Sequence, residues 1–471
     1  MALPRRKFLK TIGTVAVASA IPDVLIAAQT KPPSVAVFWE PGFPAIDGCN
    51  ITRETFSELA VTFLTTQELI TKLNTTRFDL LINPYGSAFP KRAWSAILKY
   101  LHAGGNWLNL GGVPLSRPVD HVAASWRAEA HQTTYHKQLG ITHSFPVNTA
   151  QIVEFQPAGD LRHGTELAAG FNAQQIFELY VRLSSSANEP DEAGSDGPHE
   201  GVVQPLLLGN NKPGRAIAAP VIQIDRWAAD FAGGRWVLAN FSGKLDPKAL
   251  AVLIERALQG AHRFRVSSEF ACYKPGEVPT VSVQLTRPKG DLEKLATHDY
   301  TIEVRDKNNQ IVSRIDSTYD VGATKASASE KLPNDVKLPP GLYTLHARTA
   351  LRSTTISPGY EITATSGFWI YDEALMRRGK PLTVDKHFFY RDGWVFPVTG
   401  ATYMASDVHR RFLFEPNPFV WDNDFRQMDQ AGVNMVRTGI WTGWKKYMPE
   451  PGKVDEAVLR AFDAFLLTAH K

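Results

Sequence analysis

The stretch that decides the fold runs from Phe388 to Lys471 and reads FFYRDGWVFPVTGATYMASDVHRRFLFEPNPFVWDNDFRQMDQAGVNMVRTGIWTGWKKYMPEPGKVDEAVLRAFDAFLLTAHK. Near its start, the pair Asp392-Gly393 separates two aromatic-rich runs, residues 388–390 and 394–398. Asp-Gly readily adopts the positive φ values of a type I′ turn. We therefore predict a hairpin that leads into the apolar run 396–404.

The residues from Pro418 to Gly432 predict a helix. Pro418 suits the first turn of a helix, where its missing N–H costs nothing. Trp421, Phe425 and Met428 recur at i, i+4 and i+7, which gives the helix one apolar face. Gly432 is suited to end it as a C-cap.

The pattern then repeats. Residues 433–440 (VNMVRTGI) are short and apolar, which predicts a buried strand. Asp455 is placed to cap a second helix, with an apolar face formed by Val458, Leu459, Phe462, Phe465 and Leu466. The order strand, helix, strand, helix predicts a parallel sheet, either doubly wound or closed as a barrel. Periodicity alone leaves that choice open.

Particular residues in this stretch resemble a known family. They are G-x-x-Y-M at 400–404, W-x-x-D-F-x-x-M-x-x-A-G-V-N-M-V-R-T at 421–438 and W-x-x-x-x-P-E-P-G-K-V-D at 444–455. Together they resemble the first two βα units of a clan A retaining glycoside hydrolase, the group that contains β-galactosidases. The resemblance covers about a fifth of the chain, and it implies the opening of a (β/α)8 TIM barrel.

The resemblance also implies roles for individual residues. Arg437 matches the arginine at the end of strand 2 that supports the catalytic carboxylates; the alternative is an arginine that bridges barrel layers. Trp441 and Trp444 would stack on sugar rings, or else pack in the core. Tyr403 and Asp407 would bind substrate hydroxyls, or else stabilise their loop.

In that family the acid/base and nucleophilic glutamates lie at the ends of strands 4 and 7. A TIM barrel needs roughly 250 residues, and fewer than 100 follow the linker at Gly379-Lys380. We therefore expect both catalytic glutamates beyond Lys471 and an N-terminal portion that is inactive alone. Two βα units would leave an open sheet edge and an uncovered apolar helix face.

Composition excludes some classes of protein. The 471 residues are 44% hydrophobic and 21% charged, which is ordinary for a soluble globular protein. A net charge of +4 is too small to predict binding to nucleic acid. The two cysteines, Cys49 and Cys272, fall in different predicted domains, so that a disulfide is possible but not required.

Residues 1–28 have the pattern of a targeting segment. The run Arg5-Arg6-Lys7-Phe8-Leu9-Lys10 precedes a mildly apolar stretch and small residues. It resembles a twin-arginine export signal, in which R-R-x-F-L-K precedes a weakly hydrophobic core. We expect export by the bacterial twin-arginine machinery to the periplasm or the exterior; the alternatives are an anchor helix or a chance basic start.

Residues 33–262 predict an α/β domain of flavodoxin-like type. Strands are expected at 34–39, 78–83, 106–110, 217–224 and 234–240, with helices from Pro90 and from Pro247 to Leu258. The arrangement resembles class I glutamine-amidotransferase-like domains, whose nucleophile is a cysteine on a sharp turn. The matching turn here, Gly111-Gly112, has none. We expect a non-catalytic role, structural or as the site of a homo-oligomer contact.

Four histidines, His121, His131, His136 and His143, lie close together in this region. Their spacing matches no regular metal-ligand motif, so we predict solvated or core histidines. No motif in the chain indicates a cofactor. Residues 184–199 are polar, acidic and rich in turn formers, which predicts an exposed loop.

Residues 263–375 predict an immunoglobulin-like β-sandwich. Strands are expected at 280–285, 300–305, 310–315, 341–348 and 361–371, and the run P-P-G-L-Y-T-L at 339–345 resembles the late hairpin of such sandwiches. Phe368 and Trp369 are predicted to pack in its core or against a neighbour. A linker at 371–380 leads to the barrel units, which begin at residue 381.

Taken together, the sequence predicts a multidomain α/β plus β protein. We expect the chain to be the N-terminal portion of an exported retaining β-glycoside hydrolase that acts on an oligo- or polysaccharide. The main alternative is a non-enzymatic carbohydrate-binding or scaffold protein. A catalytic amidotransferase is disfavoured because the Gly111-Gly112 turn carries no nucleophile.

Overall fold

The computed structural model describes residues 33–57, 59–123, 125–159, 161–183, 200–286, 297–320, 325–351, 360–440 and 444–471. Three of the predicted features lie outside these ranges: the export signal at 1–28, the polar loop at 184–199 and Trp441. Within the described ranges, no helix has both the length and the apolar character needed to cross a membrane.

The first part of the chain mixes short strands with helices. In chain order the elements are Val35–Phe38 (β1), Val61–Leu64 (β2), Thr66–Thr75 (α1), Leu80–Asn83 (β3), Ala88–Pro90 (β4), Trp94–His102 (α2), Trp107–Leu110 (β5), Arg117–Val122 (β6), Ser125–Ala128 (β7), Ile141–Val147 (β8), Glu154–Pro157 (β9), Gly164–Ala169 (α3), Phe171–Val181 (β10), Gly201–Asn210 (β11), Ala216–Arg226 (β12), Arg235–Ala239 (β13), Phe241–Leu245 (β14) and Pro247–Leu258 (α4). All five predicted strands are present, with ends within two residues. The helix predicted from Pro90 is wrong at its start: Pro90 ends β4, and after a short 3-10 turn α2 begins at Trp94.

The main sheet has the strand order β2-β1-β3-β5-β13-β12-β11-β9. Strands β2, β1, β3, β5 and β13 are parallel, and β12, β11 and β9 continue the sheet antiparallel. The parallel part follows the order of flavodoxin-like doubly wound sheets. Two smaller sheets, β14-β10-β8 and β4-β6-β7, flank it.

Helices cover both faces of this sheet. Helices α1 and α2 pack on one face, where Phe38, Trp107 and Trp236 are buried. Helix α4 packs on the other face, and its side chains Leu250 and Leu253 are fully buried there. Strands buried on both faces need continuous apolar runs, which explains why the sequence identified them without alternation.

The second part of the chain is a pair of antiparallel sheets. Its strands are Arg263–Ser268 (β15), Cys272–Tyr273 (β16), Thr280–Thr286 (β17), Thr297–Arg305 (β18), Ile311–Asp320 (β19), Lys325–Lys331 (β20), Gly341–Leu351 (β21) and Tyr360–Ile370 (β22). One sheet has the order β15-β17-β20, and the other has β16-β22-β21-β18-β19, with β16 parallel to β22. Strands β15, β16 and β20 were not predicted.

The sandwich core forms between the two sheets. Strand β17 alternates half-buried and buried side chains along its whole length, as a strand with one face in a core should. Tyr343 packs its ring parallel to that of Phe368, and its hydroxyl donates to the carbonyl of Pro339 at 2.9 Å. Phe368 and Trp369 are both buried, so their prediction as packing residues is confirmed.

The last part of the chain contains short strands and, among its described residues, two short and two longer helices. In order they are Glu373–Met376 (α5), Thr383–Val384 (β23), Phe389–Arg391 (β24), Trp394–Val395 (β25), Gly400–Thr402 (β26), Pro418–Gln430 (α6), Met435–Arg437 (β27), Trp444–Tyr447 (α7) and Glu456–His470 (α8). Helix α5 lies in the region predicted as a linker, and its Leu375 is buried.

Several local predictions in this part are confirmed. Asp392 and Gly393 both have positive φ, 54° and 78°, between the antiparallel strands β24 and β25. Pro418 is the first residue of α6, and Gly432 follows its end with φ 79°. The Asp455 carboxylate accepts from the backbone N–H of Val458 at 3.1 Å and caps α8.

Strands β26 and β27 pair in parallel through a helical crossover, and the described residues form no closed barrel. The strand predicted at 433–440 is only three residues long, and its side chains are half-buried or exposed rather than buried. Among the described residues, β27 pairs only with β26. The strand is short because only Met435 to Arg437 take part in that pairing.

Helix α8 attaches the last part of the chain to the sandwich. Val458, Ala461 and Phe465 are buried in a core shared with Trp369 and Leu342 of the sandwich. The Trp369 indole N–H donates to the Thr468 hydroxyl at 2.9 Å, inside this core. At the rim, the Arg460 guanidinium binds the Glu277 carboxylate through two hydrogen bonds of 2.7 and 3.1 Å.

The predicted apolar face of α8 is partly wrong. Val458 and Phe465 are buried as predicted, but Leu459 and Phe462 are 44% and 40% exposed. Leu466 is half-buried, and the residues that pack without having been predicted are Ala461, Ala464 and Leu467. The helix therefore has a second apolar face, with Leu459 and Phe462, that no described residue covers fully.

Candidate functional site

The candidate site lies at the carboxyl ends of β26 and β27, which meet at one edge because the strands are parallel. Thr402 pairs with Arg437, and the backbone N–H of Tyr403 donates to the Arg437 carbonyl at 2.8 Å. The Thr438 hydroxyl donates to the carbonyl of Tyr403 at 3.3 Å. The loops after both strands therefore start side by side.

At the opposite end of the strands, Asn434 fixes the register. Its side-chain oxygen accepts from the Thr399 N–H at 3.0 Å, and its amide donates to the Pro397 carbonyl at 2.8 Å. Sequence reasoning missed this role, although the N-M-V-R-T motif holds both Asn434 and Thr438. A polar residue at each end of a three-residue apolar strand was the available signal.

Arg437 is the last residue of β27, and its side chain is exposed at this edge. This is the position that the family resemblance implies. Among the described residues, no pair of carboxyl groups is identified as the catalytic pair that Arg437 would support. The supporting role of Arg437 therefore stays a prediction.

Tyr403 lies behind this edge rather than on it. Its side chain is 4% exposed and packs among the rings of Phe412, Phe425 and Phe465. Its hydroxyl donates to the Asp424 carboxylate of α6 at 2.9 Å. Burial, and then the Asp424 charge, raise the pKa of Tyr403 far above its usual value. A substrate contact from Tyr403 would require this bond to break, and that role stays a prediction.

Asp407 lies in the loop after β26 and lines a wide cleft. Its side chain is exposed to the cleft, although nearby protein atoms desolvate its carboxyl group. This desolvation, together with the nearby charges of Asp424 and Glu415, raises the pKa of Asp407 to about 6. Asp407 can therefore hold a proton under mildly acidic conditions.

Glu415, farther along the same loop, is held in the opposite state. Its carboxylate accepts from Arg411 Nε at 3.1 Å and lies 3.3 Å from Arg265 and 3.8 Å from Arg263. Burial opposes ionisation, but these three guanidinium groups outweigh it and lower the pKa of Glu415. The pKa of Asp407 is raised and that of Glu415 is lowered. Acid/base catalysis uses pairs of carboxyl groups whose pKa values differ in this way.

The two predicted sugar-stacking tryptophans are placed only in part. Trp441 lies outside the described residues, and Trp444 begins the short helix α7 in the loop after β27. The structure therefore brings Arg437, Asp407 and the start of α7 to loops on one edge, with Tyr403 buried beneath them.

The carboxyl edge of the main sheet is a second place where α/β proteins bind ligands. Here residues 43–49 fill it, through isolated bridges from Ile46 to Gly86 and from Gly48 to Gly111. A Cβ on Gly86 would lie 2.1 Å from the Ile46 carbonyl, so the packing is tight. Burial raises the pKa of the nearby Cys49 thiol to about 12, which leaves it protonated.

Of the four histidines, His131 and His136 lie close together, with ring centroids 6.4 Å apart. His136 is buried with Nδ1 3.3 Å from the Pro114 carbonyl, and burial lowers its pKa to about 4. His121 and His143 are exposed and contact aromatic rings. Among the residues that the structure describes, no group of three His, Cys, Asp or Glu side chains could hold a metal ion.

Comparison with known proteins gives weak likenesses to solved structures. A GH42 β-galactosidase from G. stearothermophilus superposes with a TM-score of 0.27 at 12% identity, over 64% of this chain and 41% of that one. A β-galactosidase from a Rahnella species gives a TM-score of 0.27 at 10% identity, with the same coverage. A Bacteroides uniformis β-glucuronidase gives 0.20 at 14% identity, over 43% and 22%.

The chain thus spans 41% of the length of the two β-galactosidases. At TM-scores this low, the superpositions establish neither a common fold nor a common activity. No protein-family model and no curated protein matches the chain.

Proposed function

We propose that residues 381–471 open the (β/α)8 barrel of an exported retaining β-glycoside hydrolase. The observation that carries this proposal is the parallel pair β26 and β27, joined through α6 and followed by α8, with Arg437 at the carboxyl end of β27. TIM-barrel enzymes place their chemistry at this end of the strands. In this account the main sheet and the sandwich are non-catalytic supports.

Retaining hydrolysis needs two carboxyl groups about 5 to 5.5 Å apart. One protonates the leaving oxygen, and the other attacks the anomeric carbon to form a glycosyl-enzyme. The proposal places these groups on later strands of the barrel. Arg437 would then hold the nucleophile ionised by charge-assisted hydrogen bonding, while Asp407, Trp441 and Trp444 would contact the saccharide.

The exposed apolar surface supports the proposal. Val384, Trp394 and Val395 of the β23-β24-β25 sheet are 69%, 81% and 51% exposed. Leu459 and Phe462 form the second apolar face of α8. Further βα units would pair with the edge of β27 and cover such faces, because parallel strands in barrels are buried on both sides.

Export is a separate part of the proposal. The R-R-x-F-L-K run supports transport by the twin-arginine machinery to the periplasm or beyond. Fusing residues 1–28 to a folded reporter tests it. Export should stop when Arg5 and Arg6 are both replaced by Lys; export that continues in cells lacking the twin-arginine machinery would contradict it.

Turnover tests the catalytic proposal. The 471-residue polypeptide should not hydrolyse chromogenic aryl β-glycosides, whereas a longer translation product carrying the later strands should. In that longer product, Arg437→Ala should lower kcat by about 100-fold or more, because a charge-assisted contact to the nucleophile is lost. Arg426→Ala, at an exposed arginine of α6, is the matched control and should have little effect.

Two outcomes count against this proposal. Turnover by the 471-residue polypeptide that Arg437→Ala abolishes would show that the catalytic groups lie within it. A folded, monodisperse protein that ends at Lys471 and binds saccharide without turnover would favour the non-enzymatic alternative.

A further inference from the structure

A cleft of about 730 Å³ lies where the main sheet, the sandwich and the loop after β26 meet. Its volume is within the range of about 300 to 1,000 Å³ typical of ligand pockets, which often form between domains. Nothing in the sequence pointed to it, because its walls come from segments far apart in the chain. We call it the interdomain cleft.

One wall is a single face of α4. Val252, Glu255, Arg256 and Gln259 line the cleft, and their spacing of i, i+3, i+4 and i+7 places them along one side of the helix. Apart from Val252, this face is polar. A helix buried against a sheet on one side normally turns such a face to solvent; here a second wall stands opposite.

The facing wall comes from two strands of the sandwich. On β15, Arg263, Arg265 and Ser267 alternate into the cleft. On β22, Glu361, Thr363 and Thr365 do the same. The period of two puts all six side chains on the cleft side of their strands. The two strands belong to different sheets, and together they present donors and acceptors to the cleft.

The floor is a buried polar network. Asp225 and Arg235 are each 5% exposed and form two hydrogen bonds of 2.7 and 2.9 Å. Gln223 donates to the Asp225 carboxylate at 2.8 Å, and Arg256 Nε donates to Gln223 at 2.6 Å. These bonds hold Arg256 in place at the base of the α4 wall. A floor with its polar groups paired gives a preorganised site.

Trp227 supplies an aromatic group to the same cleft. The Arg263 guanidinium lies 4.3 Å from the centre of the Trp227 ring. Burial lowers the pKa of Arg263 to about 10, so it stays charged at neutral pH. This contact orders the Arg263 side chain between Trp227 and Glu415.

The charges that line the cleft balance. Five arginines (Arg162, Arg235, Arg256, Arg263 and Arg265) face five carboxyl groups (Asp225, Glu255, Glu361, Asp407 and Glu415). Such a surface gives no net attraction to a polyanion. Hydroxyl groups, by contrast, can donate to carboxylates and accept from guanidinium groups at once. A polyhydroxylated neutral molecule uses both kinds of partner.

We propose that the interdomain cleft binds a neutral oligosaccharide. The α4 face and the β15–β22 wall would hydrogen-bond its hydroxyls from two sides, over the fixed floor of Asp225 and Arg235. This cleft shares Asp407 with the strand-end site but does not include Arg437, and the proposal does not depend on the barrel proposal.

Calorimetric titration of the 471-residue polypeptide tests the proposal. The probes are neutral β-linked tri- and tetrasaccharides of glucose, galactose and xylose, with acidic oligogalacturonides as the charged comparison. At least one neutral probe should bind. The double variant Thr363→Val and Thr365→Val keeps the shape of the wall but removes two hydroxyls, and it should weaken binding about tenfold.

Two further variants sharpen the test. Ser267→Trp should abolish binding by filling the cleft from β15, where Ser267 is exposed. Thr318→Val is the matched control, since Thr318 is an exposed threonine of the same sheet as β22 but is not part of the cleft. It should leave the affinity unchanged.

Three results would overturn the proposal: no neutral probe binds at millimolar concentration, the Thr363 and Thr365 variant binds as well as the unchanged protein, or the acidic probes bind more tightly. Failure here is distinguishable from failure of the catalytic proposal. Binding is measured on the polypeptide that should not turn over, whereas catalysis is measured on the longer product.

Discussion

At the scale of single residues, Asp407 and Glu415 show how one loop can hold two carboxyl groups in different protonation states. Both lie on the cleft, but only Glu415 is surrounded by guanidinium groups. Asp407 is left with the cost of burial and the repulsion of two other carboxylates. The difference lies in the neighbours supplied by β15, which the loop sequence alone does not show.

This difference predicts how stability depends on pH. The folded-state pKa of Asp407, about 6, is above its unfolded value of about 3.9. The folded state therefore binds more protons between these pH values, and Asp407 destabilises the protein increasingly as pH rises from 4 to above 6. Asp407→Asn should raise the melting temperature at pH 7.5 and leave it unchanged near pH 4.

Thermal melts across this pH range, compared with the unchanged protein, measure the effect. Because Asp407 is partly exposed, the gain should be modest, below about 1 kcal/mol. Asp429→Asn, at an exposed position near the end of α6, is the control. A gain for Asp407→Asn that is equal at pH 4 and pH 7.5 would contradict the assignment.

At the scale of elements, local signals placed the helix ends well but not the face that packs. Pro418, Gly432 and Asp455 act within a few residues of their own position, so their roles could be read from sequence. The packed face of α8 could not. The helix carries apolar residues on two sides, and only the position of Trp369 in the sandwich selects the side with Ala461 and Phe465.

Two phenylalanines on α8 provide a matched prediction. Phe465 is 2% exposed among four aromatic rings, so Phe465→Ala should lower the stability of α6 and α8 by about 3 to 5 kcal/mol. Phe462→Ala should cost little in the 471-residue polypeptide, because Phe462 is 40% exposed. Hydrogen exchange of the α6 and α8 amides measures both.

The Phe462→Ala variant also tests the barrel proposal. In the longer translation product, further βα units should cover Phe462, and Phe462→Ala should then reduce amide protection in α8. If Phe462→Ala is equally harmless in both proteins, the second apolar face of α8 is a solvent-exposed surface and not the site of further packing.

At the scale of the whole molecule, the sequence predicted which regions are α/β and which are β. It located four of the five parallel strands of the main sheet, β1, β3, β5 and β13, and missed β2 at its edge. It missed most of the antiparallel additions, including β10, which pairs with β8 and β14 over long sequence separations. Such strands are half-exposed, and their apolar pattern is weak. The domain boundaries at 262 and 375–381 stay predictions.

The strand-end site and the interdomain cleft differ in how far each can be recognised from the sequence. The strand-end residues could be proposed from sequence because Arg437 and Tyr403 belong to motifs in one short stretch and Asp407 follows closely after Tyr403; their roles stay predictions. The interdomain cleft could not, since Trp227, Arg263 and Glu415 become neighbours only after the three parts of the chain pack together. Of the strand-end residues, Tyr403 was placed least well, because sequence position does not show on which side of a strand end an aromatic ring lies.

The most direct test of the central claim is to read the DNA downstream of codon 471. The account predicts an open frame that encodes further βα units, with an Asn-Glu at the end of the fourth strand and a second glutamate at the end of the seventh. A stop codon directly after Lys471, in the authentic gene, would contradict the claim that β26 and β27 open a glycosidase barrel.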